Sequence, residues 1–260
     1  MSSREIQGRW WSTASQHWAQ HFEPWFLPVY KEVLDCLELN KRHLLLDAGC
    51  GSGLFSSLAI GAGAQVISLD ASPGLLDIAR RRSPYNNFME GDLEALPFAS
   101  NSFHVVTGLN SFQYAADFGN TLAEANRVLK AYGRLVIGIW DKPGICDAGY
   151  VFKSIETLLP GPAALSGSPF SLSLNNNIES ICENMGFWLI HSAVVPCHFL
   201  YASLNDAVKG FMGTSTAAAA VDHTDRYTVE NTIFSALKPF HIIDGIHYLK
   251  NTVRVYVFEK

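Results

Sequence analysis

Residues 44–53 read LLLDAGCGSG. Three leucines form what reads as a buried strand and run into an acid, Asp47. Glycines follow at alternate positions, Gly49, Gly51 and Gly53, and residues 54–60 read as a helix. A strand, a glycine turn and a helix make a nucleotide-binding corner. Glycine lets the backbone approach a ligand closely, and the helix N-terminus offers unpaired N–H groups. The dinucleotide fingerprint G-x-G-x-x-G needs its third glycine at position 54, which is Leu54. The loop is therefore G-x-G-x-G behind an acid, and Leu54 speaks against a dehydrogenase.

Outward from this corner, strands and helices alternate. Residues 65–69 (QVISL) read as a strand ending at Asp70, and residues 73–82 as a helix with Ser72 as N-cap and Pro73 at its first position. A short strand at 87–89 precedes Gly91-Asp92-Leu93. Residues 103–109 (FHVVTGL) read as a strand, 118–130 as a helix and 134–140 (RLVIGIW) as a strand. Alternation of this kind predicts an α/β fold with a parallel sheet covered on both faces, which binds its ligand at the carboxyl ends of the strands. Asp47, Asp70, Asp92 and Asn110 all lie just past predicted strand ends. Further on, 160–169 reads as a loop, 178–184 as a helix, 187–195 as a strand, 205–247 as mainly helix and loop, and 253–258 as the last strand. Before the corner, residues 4–39 read as helical and carry Trp10, Trp11, Trp18, Phe22, Trp25, Phe26 and Tyr30.

The chain has 260 residues, 48% of them hydrophobic and 17% charged, which suits one large α/β domain with a substantial core. The boundaries expected are 1–40 for a helical lid, 41–140 for a cofactor-binding half and 141–260 for a substrate-side half. Net charge is −5 and the only basic run is Arg80-Arg81-Arg82, placed where cations complement a helix C-terminus. With no basic face, nucleic acid is not an expected partner. Five cysteines, an odd number with no C-x-x-C pair, argue against a disulfide framework and fit a reduced, cytoplasmic setting. The N-terminal residues lack the apolar core of a signal peptide, and no apolar run reaches the ~18 residues of a membrane span. No metal is expected. A monomer or homodimer is.

LLLDAGCGSG, the acid ending VISLD, the segment EGDLEALPFASNSFHVV and NRVLKAYGRLVIGIW recur in this order in class I methyltransferases dependent on S-adenosylmethionine (SAM). The chain resembles their "type 11" small-molecule branch, related to the ubiquinone and menaquinone biosynthesis methyltransferases. The resemblance covers about residues 44–140. It implies a Rossmann-like, doubly wound, mostly parallel seven-stranded sheet with an antiparallel last strand, a helical lid before it and an insertion before that strand. It implies SAM as cofactor and S-adenosylhomocysteine (SAH) as product. Gly49, Gly51 and Gly53 would pass beside the methionine part, with Asp47 on its ammonium group. Asp70 would accept from the ribose hydroxyls, with Ala71 beside it. Asp92 would accept from the adenine amino group while the N–H of Leu93 donates to the ring, and Asn110 would lie near the sulfonium. Trp11, Ser15 and Trp18 resemble the spacing of the family's Y-x-x-x-A-x-x-Y segment, whose aromatics close over the methionine end; an aromatic face attracts a cation.

Methyl transfer from a sulfonium needs positioning above all, and a base only where the acceptor atom must lose a proton. Candidates for that base are His17, His21, Tyr114, His198, Asp222 and His223, with His17 first because it adjoins Trp18. Asn110-Ser111-Phe112-Gln113 lacks the prolines of the D/N-P-P-Y/F segment found in methyltransferases of base amines. Aromatics of the second half (Phe152, Phe170, Phe187, Trp188, Phe199, Tyr201, Phe211) suggest an acceptor that is a small apolar or aromatic metabolite. The alternatives are methylation of a macromolecule and a catalytically silent SAM-binding module.

Overall fold

A computed structural model describes residues 3–161, 168–174 and 177–260; most of the loop expected over 160–169 lies outside them. Five strands run parallel: β1 (Leu44–Ala48), β2 (Gln65–Asp70), β3 (Asn87–Glu90), β4 (Phe103–Leu109) and β5 (Leu129–Trp140). β6 (Trp188–Pro196) and β9 (Thr252–Glu259) complete a seven-stranded sheet in the order β3-β2-β1-β4-β5-β9-β6. β9 is antiparallel to both neighbours. A separate pair, β7 (Phe199–Tyr201) and β8 (His247–Leu249), flanks the helices inserted before β9.

Both faces of the sheet are covered, so its central strands are apolar throughout rather than alternating. The strand period of two sorts their residues into two cores. Leu45, Val105, Val136 and Val255 belong to one, and Leu46, Val106, Leu135 and Phe258 to the other. On the outer face of the glycine corner, α3 (Leu54–Gly61) and α4 (Pro73–Arg82) follow β1 and β2. The Ser72 hydroxyl accepts from the Leu75 N–H at the start of α4, the cap its sequence predicts. α5 (Phe118–Val128) starts on Asp117, which accepts from the Asn120 N–H. It stops earlier than residue 130, because Leu129 already pairs with Phe103. The register then shifts, and the sheet resumes with Val105 opposite Arg134. Residues 130–133 are looped out between these pairs, with Tyr132 at φ 60°.

The N-terminal segment is helical but not one helix. α1 (Ser3–His17) passes into a π-helical turn over Trp18–Phe22, a 3₁₀ turn over Glu23–Phe26, and α2 (Leu27–Leu37). Pro24 has no N–H to continue the α-helical ladder, and Pro28 sits in the first turn of α2. α1 docks at the start of α4 through small residues. A Cβ on Gly8 would meet the Ala71 carbonyl oxygen at 2.3 Å, and the Gly74 N–H donates to the Ser12 hydroxyl. α6 (Asp147–Glu156), α7 (Ile178–Asn184), α8 (Leu204–Met212), α9 (Ser215–His223) and α10 (Arg226–Leu237) complete the fold. No helix among the described residues is long and apolar enough to cross a membrane.

Candidate active site

A cavity opens at the carboxyl ends of β1, β2, β3 and β4, roofed by α1. Gly49 and Gly51 form part of its floor. Gly51 has φ 55°, and a Cβ there would point into the cavity, 3.5 Å from Trp18 Nε1 and 3.8 Å from Glu23 Oε1. The third glycine does something else. Gly53, at φ 77°, packs against α4, where a Cβ would collide with Ala79 at 2.8 Å; it does not line the cavity.

Asp70 lines the cavity beside Ala71. The Gly51 N–H donates to its Oδ2 and the Ser72 N–H to its Oδ1, each at 2.8 Å. Each carboxylate oxygen can accept a further hydrogen bond. Burial pushes its pKa up to about 6 in spite of these donors. Asp92 and Leu93 follow β3 at the next edge of the cavity, the Asp92 carboxylate accepting from the Glu94 N–H at 2.9 Å.

Asn110 ends β4 in the left-handed region, at φ 53°. Asparagine tolerates that conformation better than most residues, and such backbone is concentrated at ligand sites. Gln113 Nε2 donates to Asn110 Oδ1 at 2.6 Å and so fixes its amide. Above it stands an aromatic wall. Trp11 meets Trp18 edge-to-face at 4.9 Å between ring centroids, and Tyr114 likewise at 5.3 Å. The Trp18 indole N–H is buried with no partner.

Glu23 is the residue that the sequence motifs did not nominate. It is 1% exposed yet lines the cavity, placed there by the π and 3₁₀ turns. Arg82 Nη1 donates to its Oε2 at 2.8 Å, and the Ser52 hydroxyl donates to the same oxygen. Burial raises its pKa, and Arg82 opposes that shift. Arg82 is thus more than a cation at a helix end. The available signal was a lone acid within the apolar run FEPWF.

Two nominated side chains lie elsewhere. Asp47 does not line the cavity. It is 2% exposed and turned into the sheet–α3 interface, where Ser56 and Thr107 donate to it. Burial pushes its pKa to about 6. His17 is half-buried at the end of α1, its Nδ1 buried with no partner and its ring 5.9 Å from that of His21. Burial and then Arg226 hold its imidazole below the ordinary value. It does not line the cavity, because Trp18 takes that direction and the next residue on a helix points about 100° away. The other base candidates fare likewise. Asp222 pairs with Arg9 at the surface, and His198 accepts from the Asn251 N–H. Only Tyr114 of that group lines the cavity, and burial keeps its phenol protonated.

The second-half aromatics are also corrected. Phe152, Phe199 and Phe211 are at most 2% exposed and pack with Phe22, Phe26 and Trp140. Among the described residues, none beyond Ala115 lines the cavity.

An α/β sheet in this order, with a glycine corner and strand-end acids around one cavity, defines a class of fold, and comparison with known proteins agrees. The methyltransferase domain family matches residues 46–137. The demethylmenaquinone methyltransferase of Beutenbergia cavernae is 32% identical over 167 residues, 63% of this chain and 70% of that one. That of Renibacterium salmoninarum is 37% identical over 111 residues, 43% of this chain and 47% of that one. The malonyl-[acyl-carrier protein] O-methyltransferase of Serratia marcescens is 30% identical over 112 residues, with 43% and 44% covered. The matches to the latter two span about half the length of those relatives. Among solved structures, the YcgJ protein of Bacillus subtilis superposes with a TM-score of 0.60 at 18% identity, over 89% of this chain and 97% of that one. The [4+2]-cyclase SpnF does so with 0.52 at 19% identity, over 87% and 80%. These two likenesses concern the fold alone, and a cyclase among them shows that the fold does not by itself fix the chemistry. The chain belongs to the methyltransferase-domain family, the SAM-dependent class I type.

Proposed function

We propose that this protein transfers a methyl group from SAM to a small, largely apolar metabolite. One observation carries the cofactor side of that reading. The cavity is lined by acids, and one of them, Glu23, stands beside the glycine turn at Gly51. Glu23, Asp70 and Asp92 line it, against one lining cation among the described residues, Arg4, which is paired with Glu90. Asp47 lies just behind the loop, close enough to be coupled to both Asp70 and Glu23. Buried carboxylates repel phosphate and favour a ligand with a sulfonium and an ammonium group.

The residues present fit that ligand. Asp70 would accept from the ribose hydroxyls, and Asp92 with the Leu93 N–H would hold adenine. Glu23 would take the ammonium group in place of Asp47, and the unpartnered Trp18 N–H would donate to the carboxylate. When bound, SAM supplies a methyl already activated for in-line displacement. Trp11, Tyr114 and Asn110 would keep water from the sulfonium end and orient the acceptor. No histidine lines the cavity among the described residues, so an acceptor that ionises readily on its own suits it best. A relative named for demethylmenaquinone supports an acceptor of that kind.

Calorimetric titration with SAM, SAH and NAD tests the cofactor. SAM and SAH should bind and NAD should not; NAD binding without either sulfur ligand overturns the reading. Turnover is then screened as SAH release with quinols, acidic phenols and malonyl thioesters. Turnover restricted to nucleic acid or protein overturns the acceptor class and leaves the cofactor in place.

A further inference from the structure

Glu32 and Cys36 stand one turn apart on α2, so their side chains leave the same face. Facing them is His191 on β6, the edge strand of the sheet. The register of β6 on β9 shifts between Leu189 and His191. That irregularity decides where the imidazole goes. Leu189 packs into the core under one face, whereas Ala193 and Val195 pack into the core under the other, together with α2 and Cys36. A regular strand would put His191 on the face of Leu189, and the extra residue turns it towards α2 instead.

The three side chains converge. Cys36 Sγ lies 3.3 Å from Glu32 Oε1, and His191 Nε2 lies 3.1 Å from the same oxygen. The three ligand atoms all fall within 4.8 Å of one another. In a tetrahedral zinc site the bond lengths put neighbouring ligand atoms roughly 3.4–3.6 Å apart. The two separations from the Glu32 oxygen are therefore within a few tenths of an ångström of a coordination shell, and the sulfur and imidazole nitrogen need at most a modest approach to complete it. Sulfur, imidazole nitrogen and carboxylate oxygen are the donors that zinc takes. A thiolate and a carboxylate neutralise a divalent charge. The Glu32 and His191 side chains are 33% and 42% exposed, which leaves an entry path and room for a water as fourth ligand.

We propose that Glu32, Cys36 and His191 bind a divalent ion of the zinc class and so pin α2 to the edge strand. Binding exchanges the Cys36 S–H bond for a sulfur–metal bond and releases its proton to solvent, with no change of oxidation state. None of the three residues lines the catalytic cavity, so the site acts on the anchoring of the lid through α2 rather than on the reacting atoms. Sequence spacing hides it, because His191 reaches the other two only through the sheet.

Cobalt(II) titration of the metal-stripped full chain tests the proposal. The other four cysteines are buried, so a near-ultraviolet thiolate-to-cobalt band reports Cys36. One equivalent should produce that band, with the visible absorption of a tetrahedral ion, and zinc should displace it. Cys36→Ser should abolish the band, and Cys182→Ser should keep it. His191→Ala and Glu32→Gln should weaken binding by about tenfold or more. Zinc should raise the thermal midpoint of the parent chain and not that of Cys36→Ser, while the affinity of Cys36→Ser for SAH stays that of the parent. No band at one equivalent, or a band that survives in Cys36→Ser, overturns the site without touching the methyltransferase reading.

Discussion

Two parts of this molecule are rich in aromatic side chains, and they use them differently. In residues 3–26, Trp11 and Trp18 turn to the cavity, while Trp10 bonds to Asp222 at the surface and Trp25 packs on Phe199 and Tyr201. In residues 141–260, Phe152, Phe199 and Phe211 close a core and none reaches the cavity. Aromatic content alone announces apolar contact without saying with what. The helix geometry and a buried charge make the distinction. The N-terminal segment is interrupted by a π turn and Pro24, which set Glu23 among the rings. The second half has regular helices, α6 and α8, whose apolar faces meet α9, α10 and the ring of Phe22.

The contrast can be broken most forcefully in the core. Phe211→Ala removes a fully buried ring that contacts Phe22 and Phe152, and should cost ~3–5 kcal/mol of stability in denaturant unfolding. Its affinity for SAH under folding conditions should hold within about twofold. A large loss of affinity with little loss of stability would move Phe211 to the ligand side.

Glu23→Gln is the complementary change. It should weaken SAM binding by ~1.5–3 kcal/mol, about tenfold to over a hundredfold in Kd by calorimetry. Asp47→Asn should weaken it less, since that carboxylate faces Ser56 and Thr107. The reverse order would restore the ammonium to Asp47.

The carboxylates also give a pH signature. Asp47 and Asp70 both have pKa values raised to about 6 by burial. A raised carboxyl pKa means that the folded protein holds its proton more tightly than the unfolded chain. The resulting stability is full below about pH 4 and is lost as pH rises through 6. From pH 5 to 7 the thermal midpoint of the ligand-free parent should therefore fall relative to that of Asp70→Asn. SAM affinity should move the opposite way, weakening as pH drops through about 6. A midpoint difference that does not vary with pH would show Asp70 ionised throughout.

The smallest effect is expected at His17. His17→Ala should leave kcat within about twofold, because the ring is outside the cavity. A loss of ~10²-fold, the scale of a missing general base, would return it to the chemistry.

Much of the architecture was legible because it is written in local periodicity. Apolar runs such as LLLDA and QVISLD, buried on both faces, mark parallel strands, and Ser72-Pro73 marks the start of α4. The glycine corner and the position of Asp70 follow from backbone geometry confined to a few residues, so the sequence alone determined the cofactor corner and the family. Helix and strand ends around residues 129–133 were not legible, since there the strand pairing of Leu129 overrode the helical pattern. Side-chain direction was decided only by the tertiary structure. Whether Asp47 or Glu23 faces the cavity depends on the π turn and on packing against α3. Whether a phenylalanine is wall or core depends on elements distant in sequence. His191 meets Cys36 because of one extra residue in an edge strand. Local energies set the elements, and the docking of elements sets what each side chain meets.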